Sequence, residues 1–336
     1  MPWNVTGHAW AERLLVGHIR QGEVRHAYLF SGPPGVGRRT LALRLTQALF
    51  CPQPAATGQP CRTCHTCRQV EQMQHPDLSI VQAESEGGTL KVDQVRELQK
   101  TLSLLPYEAP YRVAWLLRFQ EAHVSAQNAL LKTLEEAPPR VILLLTADSP
   151  DLLLPTIVSR CEVLRLRPLA VPRLEEELAA RGLPQAEAHL LAHLSEGRLG
   201  YALRLREDRA FLEQRSALLD DWLHLLSAGR TERFTYIEGL TRGAPERTRE
   251  TLRGALRVWL TAWHDTLRVA SGASLPLVNP DRAEAIWQVA QQAGFSAARQ
   301  CVHSLMEALA RLDANVNARL LAEVTLLDWP RISPHA

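Results

Sequence analysis

The run from His26 to Thr40 constrains this chain more than any other stretch. His26-Ala27-Tyr28-Leu29-Phe30 reads as an apolar strand, Ser31-Gly32-Pro33-Pro34-Gly35-Val36-Gly37 as a glycine-bearing turn, and the periodic run after it, Leu41 to Phe50, as a helix. Strand, glycine turn and helix in that order bring backbone N–H groups at a helix N-terminus around a phosphate. The spacing from Gly32 to Gly37 is that of a phosphate loop. Such a loop next carries Lys and then Ser or Thr, and here stand Arg38 and Arg39. Lysine is a compact charge that reaches the β- and γ-phosphates and the hydroxyl holds Mg²⁺, whereas a guanidinium is a long planar fork with no acceptor for a cation. Gly32, Gly35, Gly37, Arg38, Arg39 and Thr40 therefore form a degenerate phosphate loop whose hydrolytic chemistry is compromised; a plain Gly/Pro turn is the alternative. Positive charge at Arg38 and Arg39 still attracts phosphate, so nucleotide binding stays open.

Upstream, Trp10, Leu14, Leu15 and Ile19 recur at helical intervals before Gly22. Downstream, Leu78, Ile80 and Val81 predict a short strand, Glu84 to Gly88 a turn, and Val92, Val95, Leu98, Leu102 and Leu105 a helix that stops near Pro106. Arg112 to Leu117 is a nearly continuous apolar strand of the kind buried in a parallel sheet. In a phosphate-loop ATPase it would end in acidic residues that organise Mg²⁺ and water, but Leu117-Arg118-Phe119 follow instead. Glu121 is either a displaced carboxylate or a solvated loop residue. A helix opened by Ser125 continues through Asn128 to Glu136, Val141 to Thr146 is a second buried strand, and Glu162 to Leu166 another. Thr146 stands where a strand end can meet a phosphate, or where it caps and packs. Strands alternating with helices through residue 167 predict a mostly parallel α/β sheet with its ligand side at the strand C-termini.

A chain of 336 residues is too long for one ordinary core, and its 46% hydrophobic content supports several. Beyond Pro168 and Pro172 come three short helical patterns, Leu174 to Ala180, Ala186 to Leu194 and Gly200 to Glu207. From about Asp208 the pattern is all helix, with Trp222, Trp259 and Trp263 in stripes that suit a core or a subunit interface better than a cofactor box, and a last helix capped at Asn317 running through Leu320, Leu321, Val324 and Leu327. The domains expected are 1–167, 168–208 and 209–336. A net charge of +2 permits a nucleic-acid partner without indicating one. Neither a signal-like N-terminal segment nor an apolar span of membrane-crossing length is seen, so a cytoplasmic protein without a membrane partner is expected.

Between the phosphate-loop helix and the next strand lie Cys51, Cys61, Cys64 and Cys67, a module at residues 51–67. Thiolates are the soft ligands zinc prefers. Two Cys-x-x-Cys turns sharing Cys64, with the distant Cys51, can place four sulfurs at the corners of a tetrahedron. Structural zinc with no open position is the expectation, against redox-active or unliganded thiols. His65 is a surface residue between ligands, or a substitute for one of them.

With these residues assembled, the chain resembles the delta-prime subunits of the bacterial DNA polymerase III clamp loader. The likeness is carried by His26-Ala-Tyr-Leu-Phe-Ser-Gly32, Pro60-Cys-Arg-Thr-Cys-His-Thr-Cys-Arg68, Asn128-Ala-Leu-Leu-Lys-Thr-Leu-Glu-Glu136 and Leu154-Pro-Thr-Ile-Val-Ser-Arg-Cys161, and more weakly by Ser195 to Gly200 and Asn315 to Arg319. The resemblance implies an ATPase-like (AAA+) α/β domain with a zinc-binding insertion, a small helical lid and a C-terminal all-helical collar for oligomerisation. It implies gamma or tau and delta subunits as partners in a hetero-oligomeric ring that binds ATP on the motor subunits, and contact with the sliding clamp and primed DNA through the assembled complex at the replication fork. The lysine and hydroxyl of the motor subunits fall on Arg38 and Arg39, their acidic pair on Leu117 and Arg118, and their lid arginine near Gly200. By contrast Ser159-Arg160-Cys161 is intact, and the resemblance assigns Arg160 to the ATP of a neighbour, in trans. From the residues alone, a guanidinium tied to nearby carboxylates remains the alternative for Arg160. An active gamma- or tau-type motor, or a zinc-stabilised nucleic-acid adaptor using Lys132 and inward arginines, are the competing functions.

Overall fold

A computed structural model of the chain describes residues 3–53, 58–85, 88–314 and 316–332. Residues 54–57 of the cysteine insertion, 86 and 87 of the expected Glu84 to Gly88 turn, and Asn315 lie outside the described residues. The chain divides into two units, residues 1–169 with 198–201, and residues 170–197 with 202–336.

In the first unit, β1 (Ala27–Ser31), β2 (Leu78–Val81), β3 (Arg112–Leu116), β4 (Val141–Ala147) and β5 (Glu162–Arg165) form one sheet in the order β2-β3-β4-β1-β5, every pair parallel. The alternation of side chains along a strand sends Tyr28, Phe30, Trp115, Ile142 and Leu144 to one face and Leu29, Ala114, Leu116, Leu143 and Leu145 to the other. Both faces are covered, which is why these strands read as continuous apolar runs. Into the first core go Leu15 of α1 (Ala9–Gln21) and Leu41 and Leu45 of α2 (Arg38–Phe50). On the other side lie Val95 and Leu98 of α4 (Val92–Leu102) and Leu130 and Leu134 of α5 (Val124–Glu135). This is the parallel α/β sheet that the alternation of strands and helices predicts. Because the chain steps across β1 between β4 and β5, the strand C-termini there flank the phosphate loop, the expected place for a ligand in an open parallel sheet.

Several expectations need correction. In α1 Leu15 of the expected stripe is buried, together with Ala11, Glu12, Val16 and His18, but Trp10 is 42% exposed. The cysteine insertion contains a helix, α3 (His65–Glu71), which packs on α2. The helix α4 ends at Leu102, short of Pro106, and Leu105 is exposed. Its continuation is claimed by other partners: buried Asp77 accepts the N–H groups of Tyr107, Glu108 and Ala109 at 2.6–2.9 Å, and Arg112 donates to the carbonyls of Thr101 and Leu105. Burial opposes ionisation of Asp77, but those three N–H groups and Arg112 outweigh it and hold the carboxyl below its ordinary value.

In the second unit, α7 (Val171–Ala180) packs on α8 (Gln185–Leu194). Arg198–Tyr201, with the start of α9 (Leu199–Glu207), belongs to the first unit. The helices α10 (Arg209–Ser227), α11 (Arg230–Leu240), α12 (Pro245–Ala270), α13 (Ala283–Asp313) and α14 (Ala318–Leu327) follow. Ile286 and Val302 both lie in α13, which breaks its helical geometry at Gly294 (φ 70°). Trp222, Trp259 and Trp263 are core residues, joined edge-on by Trp329. Asn317 caps α14 by accepting the Leu320 N–H. That helix buries Leu321, Ala322, Thr325 and Leu326, while Leu320, Val324 and Leu327, also apolar, face outward at 57%, 50% and 44% exposure.

One buried cation ties this core together. Arg233, 5% exposed, donates to the carbonyls of Leu225, Leu226, Leu326, Trp329 and Pro330, collecting the C-terminal ends of α10 and α14. Leu225 and Leu226 lie in the last turn of α10 and Leu326 in that of α14, where carbonyls run short of intrahelical donors, and Leu226 and Leu326 also accept the N–H groups of Ile332 and Trp329. Arg233→Met keeps the volume and removes every donor, so it should lower stability by about 3 kcal/mol or more. The check is the denaturant midpoint at unchanged slope; a change below about 0.5 kcal/mol, typical of surface positions, would contradict this role.

Candidate functional site

The phosphate loop leaves β1 at Ser31 and enters α2 with Gly37 as the N-cap residue (φ 115°). Two of its glycines are needed for close approach. A side chain on Gly32 (φ 146°) would run into the Leu166 carbonyl, and one on Gly35 (φ 84°) into Tyr201. The strand–turn–helix expected for a phosphate loop is therefore present.

What surrounds the loop differs from a nucleotide pocket. Arg38, the first residue of α2 and 9% exposed, pairs at 2.6 Å with Asp148, which follows β4. Its charge is thus already balanced where a lysine would reach for phosphate. Arg39 and Thr40 are exposed on the first turn of α2. The Gly200 N–H donates to the Gly35 carbonyl at 2.9 Å, and Tyr201 lies against Gly35. Buried His8 places Nε2 2.8 Å from the Val36 carbonyl; burial lowers its pKa, the hydrogen bond opposing.

At the end of β3, Leu117 is buried in the core and Arg118 takes a left-handed conformation (φ 48°). Its N–H goes to the Thr146 hydroxyl at 2.8 Å and its Nε to Glu121 at 2.9 Å. Thr146 is a cap for this turn. Glu121 is not a solvated loop residue, since its side chain is 14% exposed and paired with Arg118. Neither Leu117 nor Arg118, the positions that the resemblance matches to the acidic pair of a motor subunit, carries a carboxylate.

Arg160 lies between α6 (Pro155–Val158), anchored by fully buried Ile157, and β5. The Leu154 N–H donates to Gln127 of α5, which fixes the entry to this turn. The guanidinium donates to the Thr156 carbonyl and pairs at 2.6 Å with Glu135 of α5, the two side chains 35% and 50% exposed. In the isolated chain, then, Arg160 is tied to a carboxylate. A pair this exposed is worth about 0–1 kcal/mol, so it restrains the side chain only weakly. Neighbouring Cys161 is half-buried and its thiol is pushed up to about 12 by burial.

The ligand atoms of Cys51, Cys61, Cys64 and Cys67 lie within 4.8 Å of one another. Cys61 and Cys67 sulfurs are 4.0 Å apart, close to the edge of about 3.8 Å for a tetrahedron with 2.3 Å zinc–sulfur bonds. Backbone N–H groups of Cys61, Cys64 and Cys67 point at the sulfurs of Cys51, Cys61 and Cys64 respectively. The N–H groups of Thr63 and Cys64 pull Cys61 down to about 6, while burial pushes Cys51 and Cys67 up. These four thiols can hold one metal ion, and the donor set fits it. His65 is exposed and outside the cluster. Gln47 of α2 moors the module by donating to the Cys67 carbonyl and to Glu71.

Sequence comparison decides the family. Two family models match the chain, "DNA polymerase III, delta subunit" over residues 7–170 and "DNA polymerase III, delta subunit, C terminal" over residues 210–331. The DNA polymerase III subunit delta' of Bacillus subtilis (strain 168) is 29% identical over 318 residues, 94% of each chain. That of Yersinia pestis is 30% identical over 329 residues, 94% of this chain and 92% of its own. The chain belongs to the DNA polymerase III delta-prime family. The tau subunit of Escherichia coli (strain K12) is 34% identical over 213 residues, but this chain spans only 32% of it. A solved gamma subunit-related protein from Thermotoga maritima aligns over 95% of this chain and 97% of its own, at 18% identity and a TM-score of 0.48.

For this delta-prime family member, the residues singled out from sequence fall into three places. Gly32, Gly35, Gly37 and Arg38 share the closed loop, the four cysteines share one cluster, and Arg160 stands on the turn before β5. The partners that complete each place, Asp148, His8, Gly200, Gln47 and Glu135, come from elsewhere in the chain. None of these pairings shows in the spacing of the sequence.

Proposed function

We propose that the chain is a clamp-loader subunit of DNA polymerase III that does not hydrolyse ATP itself. It joins gamma or tau and delta subunits in a ring, acts there as a stator, and supplies Arg160 in trans to ATP bound by a neighbouring motor subunit, assisting the loading of the sliding clamp onto primed DNA. The observation that carries this reading is the state of its own phosphate loop, with Arg38 paired to Asp148 and Gly200 bonded to Gly35. Residues 1–167 form the ATPase-like domain with a structural zinc on Cys51, Cys61, Cys64 and Cys67, residues 168–208 the lid, and residues 209–336 the collar. In the collar, the outward row Leu320, Val324 and Leu327 at i, i+4 and i+7 is the kind of helix face that packs on a neighbour. Among the described residues no helix is long and apolar enough to cross a membrane. The motor alternative has no carboxylate at Leu117 or Arg118 to support it, Glu121 being paired with Arg118, and the adaptor alternative has only a net charge of +2.

Reconstitution of the loader with and without this chain tests the proposal. Clamp loading on primed DNA should require the chain, and Leu320→Asp with Val324→Asp should weaken ring entry at least tenfold, with the helical content of the free chain unchanged. Equal loading without the chain would refute the assignment; undiminished ring entry by the variant would refute this interface.

A further inference from the structure

A second cluster of metal-ligating side chains lies in the other unit, unconnected with the phosphate loop or the cysteines. On α8, His189 and His193 stand four residues apart and so share one helix face, with ring centroids 4.4 Å apart. Glu175 on the packed neighbour α7 closes the group, its Oε2 2.9 Å from His189 Nδ1, and one ligand atom from each of the three lies within 4.8 Å of the others. The surroundings are those of a ligand set. His193 Nδ1 meets the Leu277 carbonyl at 2.5 Å, which fixes the ring and leaves Nε2 as the free donor. Glu175 is steadied through its other oxygen by Gln185 at 2.6 Å. Imidazole and carboxylate in a two-to-one set suit zinc and similar divalent transition ions. The 2.9 Å between Glu175 and His189 is already near the edge of about 3.3 Å that a tetrahedron of 2.0–2.1 Å bonds requires.

We propose that Glu175, His189 and His193 form a second metal site, which takes a divalent zinc-class ion, leaves its fourth position to water and cross-links α7 to α8. All three side chains are partly exposed, so an ion can enter from solvent. No large rearrangement is required, because the two helices already pack together.

The test is zinc titration of the full chain, with metal content measured by elemental analysis after removal of loosely held ion. Two equivalents are expected for the wild type, one on the cysteines and one here. The double variant His189→Ala, His193→Ala should retain one equivalent. Alanine raises helix propensity at these positions, so the fold of α8 is preserved, which circular dichroism checks. Glu175→Gln should weaken the second equivalent by about tenfold or more, the scale seen when support of a metal site is removed. With cobalt as the probe, the wild type should show a nitrogen- and oxygen-ligated spectrum in addition to the thiolate one, and the double variant only the latter. A wild type that binds a single equivalent, or a second equivalent that survives the double replacement, would overturn the proposal.

Discussion

Arg160→Ala should slow ATP hydrolysis at the neighbouring site of the assembled loader by roughly 10³–10⁵, the worth of an arginine that stabilises charge on a transferred phosphoryl group. That is about 4–7 kcal/mol of barrier. Against it stands the Glu135 pair seen in the isolated chain, half-exposed and worth about 0–1 kcal/mol. The balance therefore favours release of Arg160 to a phosphate whenever one is within reach. A loader has several ATP sites, so total turnover should fall much less than hydrolysis at the affected interface. Arg160→Lys should rescue poorly, because an ammonium lacks the planar two-pronged donor of guanidinium. Glu135→Gln should leave the rate near wild type, since the carboxylate serves only the resting position. Single-turnover hydrolysis with the other sites disabled is the measurement. An unchanged rate with Arg160→Ala would remove the catalytic role, even if the chain remained a structural member of the ring.

Cys67→Ser should cost the chain the metal ion on its cysteine cluster and destabilise the first unit by several kcal/mol. Structural zinc contributes about 10–16 kcal/mol of apparent binding free energy in small peptides, and whatever part is coupled to folding is lost with the ligand. Cys67 is fully buried within α3 beside Val70, which belongs to the core on the α2 side of the sheet, so release of the metal loosens that core. Cys161→Ser is the control, because that thiol stands outside the cluster. Acid should act in the same direction. Metal binding requires thiolates, Cys61 already ionises at about 6, and burial holds Cys51 and Cys67 protonated to higher pH, so affinity should fall as pH falls. Elemental analysis and thermal unfolding with and without chelator check both points. Protein purified without chelator and free of zinc, or a disulfide between any two of these cysteines, would contradict the assignment.

The sheet was legible because its strands are buried on both faces and so appear as unbroken apolar runs, with glycine turns and helix periods between them. The cysteine cluster was legible because ligand spacing is local: three of the four thiols lie within seven residues. Contacts between distant segments were not. Arg38 and Asp148 are 110 positions apart, and nothing in the phosphate-loop sequence tells that its arginine is already paired. The bond between Gly200 and Gly35 shows in sequence only as two glycines, each explicable by a turn. Helix α3 was hidden inside a stretch read for its thiols, and α4 stops early because Asp77 and Arg112 bind the backbone that would have continued it. In α14 both faces are apolar, so periodicity found the helix but not which side is buried.

The central claim is that this chain is not a motor: its phosphate loop is closed by its own residues and its contribution to hydrolysis lies in trans. ATP turnover by the purified full chain in the presence of Mg²⁺ tests that most directly, with wild type compared with the variant Arg38→Lys, Arg39→Thr. Neither should hydrolyse ATP above background, because restoring the lysine and hydroxyl supplies no carboxylate at Leu117 or Arg118 and leaves Gly200 bonded to Gly35. Sustained turnover by the wild-type chain, abolished by replacement of Gly37, would contradict the account and identify an active motor subunit.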